Sequence, residues 1–182
     1  YEMIHKFGVN CIIDVRSMPF SQHAPQFNKE HLKLFLNKCN IIYAHFGTEF
    51  GARRTDCLVS TIKNGVSVQQ VNFEKGTLTE NFQRGILRLN KALSQGRNIS
   101  LMCTESNPLD CHRFSFISRY LFDNNYDVFH ITRDKSTKEI TALTHKELEN
   151  SMIKEYLSKR NHELRETGTN LFGESYSKEE QR

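Results

Sequence analysis

Two groups of side chains in this 182-residue chain have the types and spacing to do chemistry. The denser group runs from Cys103-Thr104-Glu105 to Asp110-Cys111-His112-Arg113. It follows a short apolar run and enters a stretch with helical periodicity. Backbone N–H groups at a helix start are unpaired and carry partial positive charge, so a thiol placed there has its thiolate stabilised. Cys111 is therefore a candidate nucleophile of low pKa. His112 and Arg113 add donors that favour a bound anion such as phosphate. Cys103 and Glu105 lie two apart and share a side if the strand continues. The second group is Asp14-Val15-Arg16-Ser17, where Asp14 and Arg16 obey the same alternation.

Each residue taken alone has a plainer reading. Cys103 fits a small core residue, Asp110 an N-cap, and Asp14 with Arg16 a structural ion pair. Asp14, Arg16, Cys103, Glu105, Cys111, His112 and Arg113 together are too many for packing to explain. Among the histidines, His31 reads as solvated and His130 as a core residue, whereas His23 and His45 are both within reach of the second group.

Four chemistries compete for these residues. A thiol phosphatase needs a short, Gly-bearing loop between Cys and Arg, so that backbone amides converge on the phosphate. Here ten positions and Pro108 separate Cys103 from Arg113, with no Gly between them. That excludes it. A metal site would draw on Cys103, Cys111 and His112, with His23 or His130 a fourth, but its cysteines are eight apart rather than closely paired. A redox pair would take Cys111 as reactive thiol and Cys103 as its resolving partner. Hydrolysis or transfer at a glycosidic or phosphate-linked centre uses every member. Asp14 and Glu105 are then the carboxylates, Cys111 assists or attacks, and Arg16, Ser17, His112 and Arg113 bind substrate.

The elements that must position these residues follow from apolar periodicity. Residues 11–16 (CIIDVR), 41–46 and 98–103 (NISLMC) read as strands, with 127–132 (DVFHIT) a fourth and 138–143 a short addition. Residues 1–7 read as a helix stopped by Gly8. Asn28 caps a helix carrying Leu32, Phe35, Leu36 and Cys39. Thr77 with Glu80, and Thr144 with Glu147, are capping-box candidates. The first precedes Phe82, Ile86, Leu89 and Leu93; the second precedes Leu148, Met152, Tyr156 and Leu157. Phe114, Ile117 and Leu121 mark a further helix. Residues 47–71 show no period and read as a long loop or irregular insertion. Strands alternating with helices predict an α/β domain: a three-layer, Rossmann-like arrangement with a mostly parallel sheet and helices on both faces. Ligands of such sheets sit at the carboxyl ends of the strands, where both groups fall.

Composition is compatible with this. Hydrophobic residues at 37% and 13 Phe support a packed core, and no apolar run reaches membrane-spanning length. The length suits one domain, over 1–161, with a polar tail over 162–182 in which Leu171 and Phe172 form a docking pair for a protein partner. Five cysteines without a disulfide-like spacing indicate a reducing, cytoplasmic setting. The net charge of +4 is mild but suits a phosphate-bearing partner, as does the Arg53-Arg54 doublet.

The segments Asp14-Val15-Arg16-Ser17-Met18-Pro19-Phe20-Ser21, Pro25-Gln26-Phe27-Asn28 and Leu101-Met102-Cys103-Thr104-Glu105, followed by Cys111-His112-Arg113, resemble the "domain of unknown function 488" family. The later Val128-Phe129-His130-Ile131 fits as well, so the resemblance runs from Tyr1 to about His145. It implies that a further strand precedes the position of Tyr1. The family carries no general activity, so it supports fold and site more than function. The expectation is an enzyme of hydrolase or transferase type acting on a nucleotide or nucleic acid, with no cofactor and with zinc as an open alternative. The competing expectation is a non-catalytic nucleotide- or nucleic-acid-binding accessory module, or a thiol-redox or metal-binding protein.

Overall fold

The computed structural model describes residues 1–167, with side chains described as far as 159. Helix α1 (Glu2–Lys6) ends at Gly8, whose φ of +63° turns the chain into β1 (Cys11–Asp14). Strand β1 is the centre of a three-stranded parallel sheet in the order β2-β1-β5, with β2 at Ile42–His45 and β5 at Ile99–Met102. All four β1 residues are buried, which is why that segment is apolar on both faces. The register sets Asp14 opposite His45 on one side and Met102 on the other.

Two helices cover opposite faces of this sheet. Helix α2 (Lys29–Lys38) packs Leu32 and Leu36 against Ile12 and Ile41. Two further helices, α3 (Gly47–Phe50) and α4 (Phe73–Thr77), precede α5 (Glu80–Ser94), which packs Phe82, Ile86 and Leu89 against Ile13, Val15, Phe116 and Ile117. Each such side chain contributes on the order of 1.5–3 kcal/mol when fully buried. Tight seating shows at Gly85 of α5, where an added Cβ would lie 2.6 Å from Phe50 Cε1.

Residues 47–71 are more regular than their sequence suggests. After α3, strands β3 (Leu58–Lys63) and β4 (Val66–Val71) form an antiparallel hairpin. Its turn is Asn64-Gly65, both at positive φ (51° and 77°), which matches the right-handed twist of the flanking strands. The expected box at Thr77 and Glu80 does not form. Thr79 is the cap of α5, its Oγ1 accepting from the Phe82 amide, while the Thr77 hydroxyl donates to Glu74 O. Asn28 lies at the start of α2, but its Oδ1 accepts from the Ser21 amide and so fastens the preceding loop.

Strand β6 (Phe129–Arg133) is not hydrogen-bonded to the parallel sheet, contrary to expectation. It pairs antiparallel with β7 (Ile140–Thr144). Asp134 accepts from the Ser136 and Thr137 amides and closes the connecting turn, so the local partner costs little chain entropy. An apolar cavity of about 1500 Å³ lies between the β5 edge and β6, lined by Leu101, Met102, Val128 and Ile131 among others. Among the described residues, the parallel order therefore extends over three strands, and the other four form two hairpins.

The second capping box does form. The Glu147 amide donates to Thr144 Oγ1 at 3.2 Å, and the Thr144 amide donates to Glu147 Oε2 at 2.8 Å. It opens α7 (His145–Thr167). Leu148 is buried, but Met152, Tyr156 and Leu157 are exposed. Helix α7 continues past residue 162, and Leu171 and Phe172 lie outside the described residues. No described helix is long and apolar enough to cross a membrane.

Candidate functional site

The loop leaving β5 and the segment after it fold back on each other. Asn107 Oδ1 accepts from the Leu109 amide, starting a 3-10 turn at Pro108–Asp110 that reverses the chain. Asp110 is not a helix cap; its Oδ2 accepts from Asn107 Nδ2. The segment Arg113–Ser118 is a π-helical stretch leading into α6 (Arg119–Asp123), where a regular α-helix was expected. Such insertions are frequent at functional sites because the wider turn re-aims its side chains.

This reversal brings Cys103, Glu105, Cys111 and His112 together, with one donor atom from each lying within 4.8 Å of all the others. Cys111 Sγ is 3.1 Å from Glu105 Oε2, a distance at which the thiol S–H donates to the carboxylate. His112 Nδ1 stands 3.7 Å from Cys103 Sγ and 3.9 Å from Cys111 Sγ. Cys111 is buried, Cys103 and His112 are half-buried, and Glu105 is exposed.

Arg113 ties the loop down. Its Nη1 donates to Leu101 O, its Nη2 to Glu105 O at 2.8 Å, and its Nε to Cys111 Sγ at 3.2 Å. The Arg113 amide donates to the same sulfur at 3.4 Å. The Cys111 thiol is pulled well below its ordinary range, first by the hydrogen bond from Cys103. Burial opposes this, while His112 and the two Arg113 donors add to it. Cys103 moves the other way, raised by donating to Cys111 and by burial. Two adjacent thiols thus separate into one held toward thiolate and one held protonated.

Asp14 and Arg16 form a separate group. Asp14 is fully buried and accepts from Arg16 N (3.1 Å), Arg16 Nε (2.9 Å), Arg16 Nη2 (2.6 Å) and the Tyr43 hydroxyl (2.7 Å). Burial alone would raise the Asp14 pKa, but the hydrogen bonds from Arg16 and Tyr43 outweigh it and the net shift is downward. Arg16 Nη2 also donates to Phe27 O. Burial, with the Asp14 hydrogen bond, pushes the Tyr43 hydroxyl upward. The Ser17 hydroxyl accepts from the Arg53 amide, and His45 Nε2 meets Arg16 O at 2.9 Å. His23 is exposed, and His31 Nδ1 bonds Pro25 O. Among the described residues, no hydrogen bond or ion pair joins this group to the cysteine cluster.

Several side chains have partners that the sequence does not indicate. Tyr43 was not identified as a partner of Asp14. Arg54, paired there with Arg53 as a charged doublet, is buried. It donates to Glu49 O, to both Asp56 oxygens and to Thr79 Oγ1, so it braces the fold and offers nothing to a ligand. His130 is a core histidine, its Nε2 3.0 Å from His145 Nδ1, and His145 went unnoticed. The Asn64-Gly65 dipeptide is a hairpin-turn signal that the reading of 47–71 as a loop or irregular insertion missed.

A family model described as "Domain of unknown function DUF488" matches residues 1–121, which include both groups but stop short of β6. No curated protein and no solved structure matches the chain.

Proposed function

The chain belongs to the DUF488 family of domains of unknown function, and from that premise we propose that it is an enzyme of hydrolase or transferase type acting on a phosphate-bearing substrate, a nucleotide or nucleic acid. One observation carries this reading. Cys111 Sγ lies 3.1 Å from the exposed Glu105 carboxylate, while Arg113 donates twice to the same sulfur. A sulfur held toward its thiolate beside a solvent-facing carboxylate is an arrangement for moving a proton at a reacting centre. Glu105 carries the proton to and from solvent, and Cys111 is the reactive sulfur. Cys103 holds its own proton and directs it at Cys111. His112 faces both sulfurs.

Asp14 acts as a positioning residue in this reading. With every contact to Arg16 and Tyr43 made, it fixes the loop that carries Ser17. The substrate class is supported by the net charge of +4 and by the exposed Arg53 beside Ser17. The same reading takes the fold as Rossmann-like in three layers, supported by α2 and α5 on opposite faces of the parallel sheet. It places the protein in the cytoplasm, supported by five free cysteines.

The test is turnover of a panel of nucleoside mono-, di- and triphosphates and short oligonucleotides by the reduced full chain, with product release as the readout. Turnover abolished by E105Q and by C111S is the expected result. Turnover unaffected by both variants overturns the site. Binding without turnover that survives C111S identifies the accessory module instead.

A further inference from the structure

We propose that Cys103, Cys111 and His112 bind a soft divalent cation of the zinc class, with Glu105 as a fourth and exchangeable donor. The proposal concerns the same site as the reaction above but rests on geometry alone; binding the ion releases the thiol protons of Cys103 and Cys111 to solvent, so the metal-bound site and the proton-carrying site above are alternative states. Tetrahedral zinc with sulfur at about 2.3 Å and nitrogen at about 2.0 Å sets its ligand atoms roughly 3.5–3.8 Å apart. His112 Nδ1 stands 3.7 and 3.9 Å from the two sulfurs, and Glu105 Oε2 is 3.1 Å from Cys111 Sγ. These three contacts are close to the spacings that one ion requires. All four donor atoms already lie within 4.8 Å of each other.

The donor set selects the metal. Two thiols and an imidazole favour zinc-like ions over magnesium or calcium, which prefer oxygen. The burial pattern distinguishes the four donors. Cys111 is buried, Cys103 and His112 are half-buried, and Glu105 alone is exposed. Three inner ligands with one replaceable outer position is the form of a site that stays open to water or substrate.

The surroundings support it independently. The Arg113 amide and Nε both donate to Cys111 Sγ and fix that sulfur from behind, as outer hydrogen bonds do in metal centres. His112 Nε2 is buried with no hydrogen-bond partner among the described residues, which leaves Nδ1 as the ring nitrogen that faces the two sulfurs. The spacing of the cysteines hides the site in sequence. The Pro108–Asp110 turn reverses the chain and closes the gap.

The experiment is an anaerobic titration of the reduced, metal-free full chain with Co²⁺, followed by Zn²⁺. The expected result is one Co²⁺ per chain, with a thiolate-to-cobalt charge-transfer band and the intense visible bands of a tetrahedral centre, both bleached by Zn²⁺. C103S and C111S each reduce the charge-transfer intensity, and H112A weakens binding by about tenfold or more. E105Q keeps the spectrum with a smaller loss of affinity, and C39S changes nothing. Circular dichroism establishes that each variant is folded; if a cysteine variant is not, H112A and E105Q decide. A weak octahedral spectrum, no charge-transfer band, or binding unchanged in H112A overturns the proposal. Cobalt binding with no turnover of any substrate overturns only the reaction, and turnover without cobalt binding overturns only the metal site.

Discussion

Asp14 and Cys103 sit at neighbouring strand ends but face opposite sides of the sheet. Asp14 is registered against Met102, the residue immediately before Cys103. Asp14 alternates with Ile12 toward α2, whereas Cys103 packs with Ile13 and Val15 toward α5. The two groups of candidate residues are therefore separate structures. One is a saturated ion-pair knot, and the other is a thiol cluster with an exposed carboxylate.

The knot is a stability element. Arg16→Met leaves the Asp14 carboxylate buried without its cation, which costs about 3–5 kcal/mol. Asp14→Asn strands Arg16 in the same way. Urea unfolding followed by circular dichroism should show both variants strongly destabilised. A shift in midpoint no larger than that of a surface substitution would mean that water, not Asp14, satisfies Arg16.

His130 and its hydrogen-bonded neighbour His145, both lowered by burial, give a shared pH dependence in which His130 is shifted to about 4. Burial first, then the charges of His145 and Arg113, lower the His130 pKa from 6.5 to about 4, against an opposing effect of Cys111. The folded value lies below the unfolded one, so the unfolded chain binds more protons between them. Stability is full above about pH 6.5 and falls toward pH 4, by up to about 3 kcal/mol. The Asp14 contribution is lost only at lower pH, below the ordinary carboxylate value of about 3.9. Urea midpoints measured across this range should slope in the wild type and slope less in His130→Gln, where His145 keeps its own contribution. An equal slope in the variant removes His130 as the cause.

Gly85→Ala decides how rigid the α3–α5 contact is. A Cβ there lies 2.6 Å from Phe50 Cε1 and 2.8 Å from Glu49 Cβ, and Phe50 is fully buried. Alanine's helix preference, worth about 1 kcal/mol, opposes an overpacking cost of about 1–3 kcal/mol. We expect overpacking to prevail, with Tm lowered by about 3 °C or more. A raised Tm means Phe50 can move aside.

Cys111 should keep its thiolate in mild acid. In the reduced, metal-free protein, the ultraviolet thiolate absorbance that C111S removes should persist down to about pH 6. A midpoint near the ordinary thiol value of about 8.5 contradicts the role given to Arg113 and Cys103.

Local periodicity was sufficient for much of this fold. The apolar runs gave β1, β2 and β5, and the 3.6-residue spacing gave α2 and α5. Thr144 and Glu147, three apart, carried a cap that forms as written. The residues of the cysteine cluster were also legible, because reactive types crowd one strand end. These features depend only on neighbours within about one helical turn or one strand.

What the tertiary structure decided was the partner of each polar group. Arg54, as half of the Arg53-Arg54 doublet, looked suited to a phosphate-bearing partner, yet folding places Glu49 O, Asp56 and Thr79 Oγ1 around its guanidinium. Arg113 looked free to grip a phosphate, but its side chain is engaged by Leu101 O, Glu105 O and Cys111 Sγ. The eight-residue spacing of Cys103 and Cys111 counted against a metal site in sequence, but the Pro108–Asp110 turn brings the two sulfurs together. Sequence spacing fixes which side chains share a face of one element. It does not fix which carbonyl or sulfur a distant arginine reaches, because that depends on how loops close and on which elements pack together.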